Sequence, residues 1–167
     1  ARALFNDLRG GSLQGGSTIT QQYAKTAFLT QDRTISRKIK EIVIAIKLGN
    51  QLSKDQILES YLNTIWFGRG AYGVETAAEV YFGRSVNEIS ISQAAVLASI
   101  LRSPGYYDPS YGPNNMKRLQ ARWKYVIDGM LAEHWITKEQ AVSARFPELK
   151  PRVKSGDLAG PKGYVMS

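Results

Sequence analysis

The chain has 167 residues, 43% of them hydrophobic, which is enough for one substantial core and is the usual size of a single domain. Lys and Arg number 22 against 14 Asp and Glu, a formal net charge of +8 that points to anionic partners: phosphates, nucleic acid or an acidic membrane surface. Cysteine is absent and His134 is the one histidine, so Cys/His zinc sites and cysteine nucleophiles are excluded, and a Ser-His-Asp triad would have to use that residue.

In chain order, Ala1 to Leu8 does not read as a signal peptide, and no apolar run reaches the roughly 18 residues of a membrane-spanning helix, so any anchor is expected outside this chain. Arg9 to Gly16 is glycine-rich. Gly15 to Gln22, GGSTITQQ, has two readings: a loop capped by Ser17 or Thr18 that leads into a helix, or backbone and side-chain donors presented to an anion. Ser36 to Leu48 is amphipathic, with Ile39, Ile42, Val43 and Ile46 on one face and Arg37, Lys40 and Glu41 on the other. Ser53-Lys-Asp-Gln56 is a capping box that opens a helix with Ile57, Leu58, Tyr61, Leu62 and Ile65 on one stripe and Glu59 and Asn63 opposite.

Gly68 to Gly73, GRGAYG, reads as a flexible turn among aromatics. Glu75 and Glu79 resemble a glycosidase pair only superficially and read as a surface helix face. Ser90-Ile-Ser-Gln93 opens a helix to Leu101 that is small or apolar nearly all round, as a core helix is, and Ser103-Pro104-Gly105 stops it. Pro109 to Asn115 reads as loop and Met116 to Leu131 as helix. His134 reads as a surface residue at the helix end, and Thr137-Lys-Glu-Gln140 repeats the capping box. No segment sustains period-two alternation, so the fold class is all-α, mainly helical. Residues 1–149 form the expected domain, and 150–167, with two Pro, three Gly and several Lys, read as an exit linker.

The chemistry-bearing residues gather in the first half. Lys25, Arg33, Arg37, Lys38 and Lys40 lie within a short span, with Asp32 and Glu41 as the nearby acids. A solvated charged face is one reading; a pyrophosphate clamp is the other, because charge-assisted bonds to phosphate oxygens are roughly twice as strong as neutral ones. Glu41 is either half of an intrahelical ion pair, worth about 0.3 to 0.5 kcal/mol, or an ionised carboxylate suited to holding a metal or orienting a substrate.

Three long motifs, GGSTITQQ at 15–22, RKIKE at 37–41 and KDQILESYLN at 54–63, resemble in order and spacing the peptidoglycan glycosyltransferases of family 51. The resemblance continues through WFGRGAYGVETAAEVYFG at 66–83, QAAVLASILRSPGYYDP at 93–109 and the basic helix around Arg118 and Arg122. It implies a lysozyme-like large lobe with a smaller, membrane-associated jaw lobe. The implied reaction is inverting transfer that polymerises lipid II into glycan strands and expels undecaprenyl pyrophosphate. By matched position, Glu41 is the implied catalytic carboxylate, alone or through a divalent metal, Mg or Mn, that many members use. Lys25, Arg33, Lys40 and Arg37 are the implied pyrophosphate ligands, and Ser17, Gln21, Gln22 and Asn63 line the cleft. The implied partners are lipid II, the growing glycan chain and the membrane surface at its extracytoplasmic face, with a transpeptidase domain expected after the linker.

The family's first motif, which holds the general-base glutamate just upstream of the pair seen here as Arg2-Ala3, is not in the chain. Two alternatives follow: a lipid-pyrophosphate-binding module without turnover, and a muramidase-like hydrolase, which would need a protonated acid beside a carboxylate. A nucleic-acid partner is not expected, because the basic residues match no recognised reader motif. Tyr23 to Leu29 is read as a membrane-associated flap or as core packing, and Tyr106, Tyr107 and Tyr111 as sugar or interface contacts or as packing under a loop.

Overall fold

The computed structural model describes residues 18–29 and 35–152. The chain divides into two compact units, Ala1–Ile65 and Trp66–Ser167. Both are mainly helical among the described residues, as the sequence leads one to expect.

The first unit contains α1 (Ile19–Phe28), α2 (Ile35–Gln51) and α3 (Lys54–Thr64), and α1 packs against both of the others. Local chemistry starts two of these helices. Thr18 caps α1 and Ser53 caps α3, each accepting from the backbone N–H three residues on, while Gln21 and Gln56 reach back to the cap N–H groups. Ala24, Ile57 and Tyr61 are buried between the helices. The Tyr61 hydroxyl donates to Gln22 Oε1 at 3.2 Å and so joins α3 to α1.

The second unit opens with a two-stranded antiparallel hairpin, β1 (Trp66–Gly68) and β2 (Ala71–Tyr72), where the sequence reads as a flexible turn over Gly68 to Gly73. Strands of three and two residues are too short to show alternation. Gly68 has φ +89°, which strains any other residue, and a Cβ there would sit tightly, 3.0 Å from the Tyr81 hydroxyl and 3.1 Å from Pro104 Cβ. α4 (Val74–Phe82) follows, then α5 (Ile91–Leu101), the short α6 (Pro104–Tyr107), α7 (Pro113–Ala132) and α8 (Lys138–Ser143), with single 3₁₀ turns at Val86–Glu88 and Pro109–Tyr111. Capping boxes at Ser90 and Thr137 start α5 and α8. α7 begins at Pro113, earlier than Met116, because proline fits the first helical turn.

α5 is the buried helix, with Ala95, Val96, Leu97, Ser99 and Ile100 shielded from solvent. Ala95, Ile127 and Ile136 form a core over which Trp123, Val126 and Met130 close. Trp123 places its indole edge to face with Phe146 and donates from Nε1 to Ser92 O at 2.9 Å, which locks α7 on α5. Glu75 and Glu79 are exposed, with Glu75 Oε2 accepting from Val86 N, and His134 is exposed in the turn after α7 at φ +58°.

One buried ion pair braces this unit. Arg69, at φ +53° in the hairpin turn, donates from Nε and Nη2 to Asp108 Oδ1 at 3.1 and 2.9 Å and from Nη1 to Lys150 O at 2.7 Å, with its guanidinium over the Tyr81 ring. Lys150 N donates to Tyr81 O, and Arg152 lies over the Tyr111 ring, so residues 150–152 are docked on the helical body. Burial pushes the Tyr81 phenol far up; its hydroxyl donates to Phe67 O at 3.0 Å.

Candidate active site

Helix α2 turns the wrong way round for a helix that serves only a core. Its buried residues are Glu41 and Ala45, whereas Ile39 and Ile46 are each 58% exposed, and Ile35 and Val43 also face solvent. A half-exposed isoleucine forgoes roughly 1 kcal/mol of burial, and a buried carboxylate costs several kcal/mol unless it is paired. One helix therefore both leaves isoleucines exposed and buries a carboxylate that needs a partner. Such concessions are expected at a functional site, where local rules yield to chemistry.

Glu41 is 3% exposed, and Lys38, one turn earlier, donates from Nζ to its Oε1 at 2.6 Å. The pairing satisfies the requirement that a buried charge be compensated and hydrogen-bonded. Lys38 belongs to the cationic cluster but is not among the residues the motifs assign to the site; its i, i+3 spacing from Glu41 is the signal that marks it. Arg37 is half-buried with Nε and Nη1 shielded from solvent, and Lys40 is exposed on the next turn. Glu41 is the sole acid of α2, set against Arg37, Lys38, Lys40 and Lys47, so the helix carries a strong positive excess around one fixed carboxylate.

The other expected site residues divide between α1, α3 and the segments outside the described residues. Lys25 is exposed in the last turn of α1, where a cation also complements the helix dipole. Gln21 is committed to the capping box, its Oε1 accepting from Thr18 N at 3.3 Å, and Gln22 receives the Tyr61 hydroxyl. Burial raises the Tyr61 phenol above its ordinary range, so it stays a donor at neutral pH. Asn63 is exposed near the end of α3. Ser17 and Arg33 lie outside the described residues.

Phe28, 55% exposed, stacks edge to face with Tyr23 at the end of α1, so the Tyr23 to Leu29 stretch is divided between packed Ala24 and solvent-facing Phe28. Among the described residues no group of three or more Asp, Glu or His side chains is placed to hold a metal ion. Glu41 offers one carboxylate, a donor set that suits a hard divalent ion completing its shell with phosphate oxygens and water rather than an all-protein cage.

Residues 1–131 match the family model described as Transglycosylase. The chain is 43% identical to penicillin-binding protein 1A of Mycobacterium tuberculosis over 99% of its own length and 21% of that protein. It is 50% identical to penicillin-binding protein 1A of Aquifex aeolicus over 83% of the chain and 19% of that protein. It therefore spans about a fifth of the length of these relatives. Among solved structures, penicillin-binding protein 1A from Haemophilus influenzae aligns with a TM-score of 0.52 at 27% identity, covering 81% of this chain and 17% of that one. This likeness accords with a mainly helical, lysozyme-like fold.

Proposed function

Because the chain belongs to the transglycosylase family, the peptidoglycan glycosyltransferases, we propose that it carries the sugar-transfer site of a cell-wall polymerase that joins lipid II to a growing glycan chain and releases undecaprenyl pyrophosphate. The observation that carries this reading is Glu41, a carboxylate buried against Lys38 on a helix otherwise rich in cations. Expulsion of a pyrophosphate places growing negative charge on oxygens, and fixed cations stabilise that charge as it develops. Lys25, Arg33, Arg37 and Lys40 are assigned to the pyrophosphate. Glu41 is assigned to orienting the reacting end, and Ser17, Gln21, Gln22 and Asn63 to lining the cleft. No residue of 1–167 is assigned the general-base role that an attacking sugar hydroxyl needs. A Mg or Mn ion, if used, would be held by Glu41 and would offset pyrophosphate charge when bound.

The exposed apolar face of α2, together with Phe28, supports a site that works against a bilayer, since an amphipathic helix rich in Lys and Arg lies naturally in the headgroup region. No helix among the described residues is long and apolar enough to cross a membrane. We read the site as facing the extracytoplasmic side of the bacterial membrane. The relatives are named penicillin-binding proteins, and we read a transpeptidase domain as part of the same polypeptide.

The test is incubation of labelled lipid II in detergent with the polypeptide in which the family's first motif precedes Arg2. A ladder of lengthening glycans with release of undecaprenyl pyrophosphate is expected. Cleavage of finished glycan without use of lipid II would instead establish a hydrolase.

A further inference from the structure

The segment that follows α8 forms no helix or strand through Arg152, yet it is fastened to the second unit by polar contacts concentrated at its end. Pro147 and Pro151 stiffen it, and Pro151 favours extended backbone at Lys150. An extended residue turns its own N–H and C=O to the same side, as in a strand pair. Lys150 uses both: its N–H donates to Tyr81 O at 2.9 Å, and its carbonyl accepts from Arg69 Nη1 at 2.7 Å. The Arg69 guanidinium lies over the Tyr81 ring, so the two partners of Lys150 form one surface.

This docking completes a helix end. The last carbonyls of a helix have no partner within it. In α4, Glu79 O is met by the N–H of Gly83, and Tyr81 O is met by Lys150. The Lys150 side chain crosses Gly83, where φ is +69° and where Lys150 Cε and Nζ occupy the space that a Cβ would need. Its ammonium thereby sits at the negative end of the helix dipole. Arg69 keeps Nε and Nη2 on buried Asp108 while Nη1 holds Lys150, so one guanidinium joins the hairpin turn, the buried carboxylate and the exit segment. Apolar burial is what the segment lacks: Glu148, Lys150, Pro151 and Arg152 are exposed, and no residue of 147–152 is fully buried. A segment held by a few polar contacts opens more readily than the core beneath it.

We infer that residues 147–152 are a releasable strap that couples the chain leading out of this unit to the β1–β2 hairpin. Seated, the strap closes the end of α4 and helps to fix Arg69 on Asp108. Lifted by a pull on the residues that follow it, it frees Nη1 of Arg69 and loosens the hairpin turn, while the core between α5 and α7 stays folded. Residues 150–152 then belong to the folded unit rather than to a linker that begins at Lys150.

The experiment is hydrogen exchange on the full 167-residue chain by NMR, reading Lys150 N–H, Arg69 Nε–H and the Trp123 indole N–H, which donates to Ser92 O in the core. In the unaltered chain, Lys150 N–H should exchange at least about tenfold more slowly than a free amide and at least about tenfold faster than the buried amides of α5. Lys150→Pro removes the donor to Tyr81 O and should speed exchange at Arg69 Nε–H about tenfold, leaving the Trp123 indole N–H unchanged. Exchange of Lys150 N–H at the free rate would show that no strap is seated. Exchange in step with α5, or a Lys150→Pro chain without its helical circular dichroism, would show a piece of the core rather than a strap that releases. Unchanged exchange at Arg69 in a folded Lys150→Pro chain would overturn the coupling.

Discussion

Arg69→Met should destabilise the second unit by about 3 to 5 kcal/mol, the usual cost of removing one member of a buried ion pair. The side chains of Arg69 and Asp108 are each 2% exposed, and Asp108 Oδ1 receives two of the guanidinium's N–H groups. The substitution also strips the Lys150 carbonyl of its 2.7 Å donor. Methionine retains most of the aliphatic stem and the same left-handed backbone, so the loss reports on the guanidinium rather than on packing or strain. For a chain of this size, each kcal/mol corresponds to about 2 to 4 °C, so the melting temperature should fall by about 6 to 20 °C at pH 7, followed by circular dichroism. Because the penalty comes from the stranded charge, Arg69→Met/Asp108→Leu should recover most of the stability: an apolar pair of similar volume is often as stable as the ion pair it replaces. A loss below about 1 kcal/mol in the single variant, or a double variant no better than the single, would refute the reasoning.

Acid unfolding should depend on the same carboxylate. Burial alone would raise Asp108, but the hydrogen bonds from Arg69 and Ser110 and the charge of Arg69 outweigh it and hold the carboxyl below its ordinary range. Its stabilising contribution is therefore complete above the unfolded value of about 3.9 and lost as the pH falls through the lower folded value, and urea titrations should show Asp108→Asn flattening that dependence. Ser90→Ala removes the acceptor of the Gln93 N–H and should cost about 1 kcal/mol, read as a shift in urea midpoint without a change in slope. Ile46→Asp, on the solvent side of α2, should change stability by less than about 0.5 kcal/mol yet reduce co-sedimentation with phosphatidylglycerol vesicles severalfold; unchanged vesicle binding would remove α2 from the membrane contact.

Features that are local in sequence are the ones the sequence reveals. The Ser or Thr and Gln pairs at 53/56, 90/93 and 137/140 announce their helices because a capping box closes within four residues. The apolar composition of 91–101 likewise marks a core helix. The orientation of α2 was not legible, because periodicity separates two faces of a helix without saying which of them meets the core. The isoleucine stripe suggests an inward face, yet Glu41 and Ala45 occupy it.

At the candidate site the motifs lead to Glu41, whereas its ion-pair partner Lys38 is one cation among several until coordinates separate them. The Arg69–Asp108 pair spans 39 residues and the bond from Tyr61 to Gln22 another 39, separations that carry no local signal. Tyr107 alone of the three tyrosines near 106–111 is buried; Tyr106 and Tyr111 stay exposed and carry arginines on their faces.

The central claim is that the buried carboxylate of α2 serves sugar transfer, and Glu41→Gln tests it most directly. Glutamine keeps the shape, and Lys38, 44% exposed, can turn its ammonium to water, so the fold should survive with a melting temperature within a few degrees of the parent. Polymerisation of labelled lipid II, measured with the family's first motif supplied upstream of Arg2, should fall by about 10²- to 10³-fold, as expected for loss of a preorganised charge at a reacting centre. A folded Glu41→Gln protein that polymerises lipid II at more than half the parent rate would contradict the account.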